Sequence, residues 1–227
     1  CTLMAIPIDP PHAAIDMLTD LTGSGAQLLA AEYVDARTLQ RVIEHSGLPH
    51  LFDPAPPLTL FVEIAGLDFS WQPDEPARVA QDSPGQRALW RYREQASDSW
   101  TAAGEIRKLD VSVPLPVFAN FSAELTMLLD DAATVTDHGS FGHLADGNLH
   151  IEVLGPGPTD LSIDRAVLEL VSHFGGSISA EHGIGRAKAE FLSLAHNHAA
   201  VELMRTVKQT FDPKGMLNPG VIFPEAH

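Results

Sequence analysis

The order of residue patterns in the first 65 positions restricts the fold of this 227-residue chain more than any other feature. Three β-type runs, residues 2–8, 27–34 and 58–65, alternate with two helical runs, which start after Pro10 and after Asp35. Asp35 is a good N-cap, since its side chain can accept a hydrogen bond from the first helical turn. This order predicts an α+β fold with a ferredoxin-like antiparallel sheet covered by helices.

The rest of the chain continues in the same class. Its patterns first predict a loop over 66–86, a helix over about 85–104, a strand over 108–114 and a helix over 116–129. A glycine-rich loop over 138–147 and a strand over 148–154 follow. The last predicted elements are a helix ending near Gly175, a short strand from residue 177 and a helix over 197–211. We therefore predict an α+β domain over residues 1–195 and a C-terminal helical segment over residues 196–227.

Composition excludes several classes of protein. Hydrophobic residues make up 44% of the chain and charged residues 19%, which is typical of a globular protein. Cys1 is the single cysteine, so neither an internal disulfide nor a zinc site built from cysteine pairs can form. The formal net charge is −16, and a chain this acidic is repelled by nucleic acid.

Two histidines and a glutamate near glycine-rich turns are candidate metal ligands. His143 and His150 flank the first turn, and Glu181 lies in the second. Two imidazoles and a carboxylate suit zinc and leave one coordination position open. The spacing is not that of the H-E-x-x-H motif, so these residues can equally be polar loop residues.

A second group could bind an anion. Arg93 and Ser97 are spaced i, i+4 on a predicted helix, and Lys108 opens the next strand. Two cations and a hydroxyl at one point would clamp a carboxylate. The alternative is that Arg93 is a solvated helix charge and Lys108 ends a strand.

His182 follows Glu181 directly and has two readings. Its unperturbed pKa near 6.5 suits a general base, and its position next to a candidate ligand also suits a residue that supports the metal. Asn218 lies in the turn Leu217–Gly220, which on its own indicates only a turn after the end of a helix.

Three segments together resemble a known family: GHLADGNLHIEV (142–153), GSISAEHGIGRAK (176–188) and MRTVKQTFDPKGMLNPGVIF (204–223). They are similar to the C-terminal substrate-binding domain of FAD-linked oxidases of the vanillyl-alcohol-oxidase superfamily. The subgroup they resemble is the D-2-hydroxy-acid dehydrogenases, which include cytochrome-type D-lactate dehydrogenase, the glycolate oxidase FAD subunit and D-2-hydroxyglutarate dehydrogenase. The resemblance implies oxidation of a D-2-hydroxy acid to the 2-oxo acid by hydride transfer to FAD.

The resemblance also implies roles for the candidate residues. A divalent metal, for which zinc is the best match, would be held by His143, His150 and Glu181. His182 would be the catalytic base and would lie beside the flavin.

The carboxylate of the substrate would be clamped by Arg93, Ser97 and Lys108, with Ser97 standing where the family has threonine. Asn218 falls in the segment that packs near the flavin. Glu152 departs from the pattern, because the D-2-hydroxyglutarate enzymes have asparagine there. A carboxylate at this position would repel a second acidic group on the substrate.

One part of the family's enzymes has no counterpart here: nothing in this chain resembles the FAD-binding domain that precedes this region in the family. We therefore expect this chain to be the substrate-and-metal part of a flavoenzyme, inactive by itself. Expected partners are a small 2-hydroxy acid and the protein's own FAD-binding domain, with a homodimer allowed. A cytoplasmic location, or peripheral attachment to a membrane, is expected. The alternatives are a metal-dependent hydrolase and a non-catalytic subunit or assembly module.

Overall fold

The structure is a computed structural model that describes residues 1–65 and 76–223. Its centre is one antiparallel sheet of seven strands in the order β4-β1-β3-β2-β6-β7-β5. The strands are β1 (Thr2–Ile8), β2 (Gln27–Asp35), β3 (Leu58–Ala65), β4 (Arg78–Ala80), β5 (Ile106–Ser112), β6 (Asp137–His143) and β7 (Asn148–Leu154).

Helices cover both faces of this sheet. They are α1 (Ala13–Gly23), α2 (Ala36–Ser46), α3 (Ser83–Glu94), α4 (Ala96–Thr101), α5 (Phe118–Asp131), α6 (Ser162–His173), α7 (Leu192–Ala195) and α8 (His198–Phe211). Buried side chains of α1, α5 and α6 form the core on one face, and those of α2, α3 and α4 form the core on the other. The predicted α+β class, with an antiparallel sheet covered by helices, is confirmed.

The first half of the chain follows the predicted order of elements. The three predicted strands are β1, β2 and β3, and Asp35 caps α2 by accepting a hydrogen bond from the Thr38 amide at 2.8 Å. The apolar stripe of α2, which includes Leu39 and Val42, is buried against the sheet.

The helix predicted over 85–104 is two helices. The chain turns at Gln95, where ψ is 0°, and α3 ends before this residue while α4 begins after it. The turn allows Tyr92 on α3 and Trp100 on α4 both to be buried in the same core. Burial of two large aromatic side chains outweighs the continuity of one helix.

The loop predicted over residues 138–147 is wrong in its first half, where β6 runs to His143. Glycine normally disfavours a strand, but here it allows close packing. A side chain at Gly142 would clash with the backbone carbonyl of Asn148 on β7. A Cβ atom at Gly139 would lie 2.5 Å from Thr38 Oγ1 and 2.6 Å from Trp100 Cζ2.

Other predicted boundaries shift. Within the loop predicted over 66–86, residues 66–75 lie outside the described residues, while β4 and the first turn of α3 occupy part of the remainder. The short strand predicted from residue 177 is reduced to one bridge between Ser112 and Ser177. The last predicted helix is α8, capped by Asn197, and none of the side chains of this fully described helix is buried.

Replacement of Gly139 by alanine should lower the free energy of unfolding of the chain by about 1–3 kcal/mol. The new methyl group would force apart the buried hydrogen-bonded pair of Trp100 and Thr38, whose Nε1–Oγ1 distance is 3.1 Å. Urea denaturation followed by tryptophan fluorescence measures the change.

Gly157→Ala is the matched control, because an added Cβ there has no neighbour within 4 Å among the described residues. Equal unfolding free energies for the two variants would contradict this account of β6.

Candidate active site

The edge strand β5 and its neighbour β7 carry polar residues at alternate positions. These residues lie on the sheet face that α2, α3 and α4 cover. The register of β5 with β7 places Lys108 opposite Glu152 and Asp110 opposite His150. The residues between them point to the other face, where Leu109 and Ile151 are buried in the core. His150 and Glu152 therefore share one face of β7.

The three candidate metal ligands come together. His143, at the end of β6, His150, on β7, and Glu181, in the loop before α7, each offer a ligand atom, and these atoms lie within 4.8 Å of one another. His143 Nε2 is 3.4 Å from Glu181 Oε1. These side chains are partly exposed, so an ion and a further ligand could reach them.

Glu32, which the sequence analysis missed, supports this cluster from β2. Its Oε1 is 2.6 Å from His143 Nδ1, and its Oε2 accepts a hydrogen bond from Arg93 Nε at 3.0 Å. A carboxylate on Nδ1 fixes the ring and leaves Nε2 directed at Glu181. The one available signal was an acidic residue inside the predicted strand QLLAAEYV.

The predicted carboxylate clamp is assembled in part. Lys108 Nζ donates hydrogen bonds to Ser97 Oγ at 2.9 Å and to Thr101 Oγ1 at 3.0 Å. Arg93 is held by Glu32, and its guanidinium carbon lies 4.7 Å from the centroid of the Phe141 ring. Lys108 is thus hydrogen-bonded to Ser97, whereas Arg93 is bonded to Glu32, the carboxylate that contacts His143.

Three of these groups, Ser97, Lys108 and His150, border a cleft of about 630 Å³. Its polar lining comprises Ser97, Lys108, Asp110, His150, Glu152, His182, Arg186 and Lys188. The side chain of His182 is 71% exposed, so a ligand in the cleft can reach it. Asn218 lines another hollow, of about 990 Å³, between α8 and the segment that follows it.

The pKa values of two groups in the cleft, His150 and Asp110, are both lowered, but for different physical reasons. Burial lowers the pKa of His150, and the nearby Arg93 lowers it further, so the imidazole is held neutral as a metal ligand must be. Burial raises the pKa of Asp110, but the backbone amides of Glu181 and His182, the Asn148 side chain and the nearby His182 ring together more than offset this effect. The pKa of Asp110 therefore lies below its usual range.

Glu152 is the least satisfied carboxylate of the cleft. Its side chain is 3% exposed, its Oε2 has no hydrogen-bond partner among the described residues, and Lys108 Nζ is 4.0 Å from its Oε1. Burial raises the pKa of Glu152 to about 7, against a smaller opposing effect of Lys108. The charged form of this group is therefore unfavourable in the folded chain.

Glu152→Gln should remove a pH-dependent loss of stability. A carboxyl group whose pKa is higher in the folded chain lowers the free energy of unfolding as pH rises from about 4.5 to about 7. The variant should therefore gain about 1–3 kcal/mol relative to wild type between pH 5 and pH 8. Denaturant titrations at both pH values, with a chelator present, measure the gain.

Glu124→Gln on the exposed side of α5 is the control and should show no such gain. Parallel pH dependence of wild type and Glu152→Gln would show that this carboxyl group is not perturbed.

Comparisons with known proteins bear on the family and the fold of the chain. Residues 2–222 match the family model of FAD linked oxidases, C-terminal domain. The chain is 34% identical over 225 residues to a D-2-hydroxyglutarate dehydrogenase of Xanthomonas citri pv. viticola, covering 88% of this chain and 47% of that protein. It is 29% identical over 223 residues to the D-2-hydroxyglutarate dehydrogenase of Stutzerimonas stutzeri, covering 86% and 47%.

A mitochondrial D-2-hydroxyglutarate dehydrogenase of Arabidopsis thaliana is 30% identical over 221 residues, covering 89% of this chain and 39% of that protein. This chain thus spans less than half the length of these relatives. In fold, a 4-ethylphenol oxidase from Gulosibacter chungangensis, in complex with isoeugenol, superposes with a TM-score of 0.63 at 15% identity, covering 99% of this chain and 54% of that one. Within residues 1–65 and 76–223, no helix is long and apolar enough to cross a membrane.

The family match extends over almost the whole chain, and the three motif segments of the sequence lie within it except for the last residue, Phe223. The chain belongs to the family of C-terminal domains of FAD-linked oxidases.

Proposed function

We propose that this chain is the substrate- and metal-binding part of an FAD-dependent dehydrogenase that oxidises a D-2-hydroxy acid to the 2-oxo acid. The observation that carries the proposal is the convergence of His143, His150 and Glu181 within 4.8 Å, beside a cleft that also holds Lys108 and His182. The family match and the names of the relatives support the reaction class.

The flavin belongs, in this proposal, to another part of the full-length protein. The chain covers 39–47% of the D-2-hydroxyglutarate dehydrogenases described above, which leaves room in them for a separate FAD-binding domain. Several exposed apolar side chains lie on α8 and in the following segment, including Leu203, Phe211 and Met216. We assign this surface, with Asn218 and the C-terminal segment 196–227, to contact with the flavin domain.

The residues present fit a divalent metal, with zinc as the first candidate. His143 is oriented through Nδ1 by Glu32, His150 is held neutral, and Glu181 adds one negative charge. Neutral imidazoles and a carboxylate are the ligand types of catalytic zinc sites, which keep a position open for substrate. When bound, the metal would supply Lewis-acid polarisation and the flavin would supply a hydride acceptor.

The chain's own residues bind and orient the acid. Lys108 and Ser97, already joined by a hydrogen bond, present an ammonium and a hydroxyl to the substrate carboxylate. Arg93 adds to this clamp through N–H groups that Glu32 leaves free, because a guanidinium has five donors. The 2-hydroxyl then faces the His/Glu cluster.

His182 is the base in this proposal. It lies in the cleft with an exposed side chain, next in sequence to the ligand Glu181. A neutral imidazole there accepts the proton of the 2-hydroxyl as the Cα–H bond breaks. The proton leaves the substrate at His182 while two electrons leave with the hydride, so the product is the 2-oxo acid.

Loss of two ligands should remove the metal. The full-length wild-type protein should retain about one zinc per chain after dialysis, and the double variant His143→Ala, His150→Ala should retain less than about a tenth of that. Elemental analysis by mass spectrometry measures the ratio of metal to protein.

His45→Ala combined with His50→Ala is the matched control, because both histidines are exposed and neither belongs to the cluster. Unchanged zinc in the His143, His150 variant would reject the metal site.

Replacement of the base should stop chemistry and spare binding. The full-length flavoprotein, mixed without oxygen with D-lactate, glycolate, D-2-hydroxyglutarate or L-lactate, should lose flavin absorbance with a D-acid. His182→Ala should slow this reduction by about 10²–10⁴-fold with little change in substrate affinity. Stopped-flow absorbance measures both quantities.

His45→Ala should reduce its flavin as fast as wild type does. Wild-type flavin that no acid reduces would reject the dehydrogenase, and metal-dependent hydrolysis without flavin would favour the alternative class.

A further inference from the structure

Asp110, in the middle of β5, connects more parts of the candidate site than any predicted residue does. Its side chain is 6% exposed, and its Oδ1 accepts a hydrogen bond from Asn148 Nδ2 at 3.1 Å. Its Oδ2 accepts from the backbone amides of Glu181 at 2.8 Å and His182 at 3.2 Å. A buried carboxylate with three donors is well satisfied and rigid.

The segment that carries Glu181 and His182 depends on this residue for its position. It contains no regular strand or helix between Ser177 and Lys188. Lys188 Nζ donates to the backbone carbonyl of Asp110 at 2.8 Å and to that of Ile178 at 2.7 Å. Asp110 therefore holds both the middle and the end of the segment against the sheet.

The same carboxylate faces two imidazoles. His150 Nδ1 lies 3.7 Å from Asp110 Oδ1, and His182 Nδ1 lies 3.6 Å from Oδ2. These are ion-pair distances, somewhat longer than hydrogen bonds, and such contacts tighten when a ligand binds. A carboxylate beside Nδ1 favours the tautomer with hydrogen on Nδ1, which leaves the Nε2 lone pair free in both rings.

We infer that Asp110 is a positioning residue of this site. Its carboxylate keeps hydrogen on Nδ1 of the ligand His150 and of the base His182, so that the Nε2 lone pair of each ring is free. The same carboxylate fixes the backbone that carries Glu181. The inference rests on the proposed function for the roles of the two histidines. It adds a residue that the sequence motifs did not single out. After proton transfer, the imidazolium of His182 would also be stabilised by the adjacent negative charge.

Two substitutions separate the anchoring of the segment from the orientation of the rings. Asp110→Asn keeps one oxygen for the two amides. Asn148 can rotate its amide so that its Oδ1, which has no hydrogen-bond partner among the described residues, accepts from the new NH₂ group. This variant should keep the segment ordered and lose the charge beside both histidines. Asp110→Ala should lose both.

Asp35→Asn is the matched control. Asp35 is also a partly buried carboxylate that accepts backbone amides, from Thr38 and Ser140, but it caps α2 and lines no part of the cleft. It carries the same chemical change at a carboxylate whose hydrogen-bond partners in the described structure are Thr38 and Ser140, not His150 or His182.

The full-length flavoprotein is tested by three measurements. Flavin reduction in Asp110→Asn should be slower by about 100-fold or more with substrate affinity within about threefold of wild type, and zinc affinity by chelator competition should fall about 10–100-fold. Hydrogen exchange of residues 178–188 should stay at the wild-type level in Asp110→Asn and rise in Asp110→Ala. Asp35→Asn should match wild type in all three.

Flavin reduction within about threefold of wild type in Asp110→Asn, or an equal loss in Asp35→Asn, would overturn the inference. If no acid reduces the wild-type flavin, the proposed function fails, and the zinc affinity of the variants still decides the role of Asp110. If the variants do not fold, ¹⁵N shifts of labelled histidines in the wild-type protein decide it. Two rings with hydrogen on Nδ1 are expected, and hydrogen on Nε2 in either His150 or His182 would overturn it.

Discussion

The antiparallel register between β5 and β7 is the constraint on which the rest of the site depends. It places Lys108 opposite Glu152 and Asp110 opposite His150, so that a cation, two carboxylates and an imidazole share one patch of the sheet. A slip of either strand by one residue would move the two polar groups of that strand to the other face. The register is held because the alternate residues of both strands, such as Val111 and Leu149, are fully buried against α5 and α6.

Each group at the site is completed by an element other than its own. His143 ends β6, but the carboxylate of Glu32 on β2 holds its ring, and Arg93 from α3 holds that carboxylate in turn. The pairing of β2 with β6 therefore stabilises both the fold and the orientation of a candidate ligand. Buried charges persist in this way because partners replace the water that they lose.

The carboxylates near the cleft show how much those partners matter. Asp110 has three hydrogen-bond donors, and its pKa lies below the usual range. Glu152 has one lysine at 4.0 Å and one oxygen without a partner in the described residues, and its pKa is raised. Burial alone would have raised both pKa values, so the number of hydrogen-bond donors around each carboxylate decides its charge state. The sequence places both residues in predicted strands but carries no signal of how many hydrogen-bond donors each receives.

The sequence by itself determined the α+β class, the helix that Asp35 caps, the faces of β7 and the candidate residues, because residue periodicity and motif spacing are local properties. Folding alone decided that Gly139 and Gly142 lie in a strand, that Gln95 divides two helices, and that Glu32 and Asp110 support the site. Glu32 is 111 residues from His143, and Asp110 is 72 residues from His182. Contacts over such separations depend on strand pairing and close packing, which local sequence patterns do not predict.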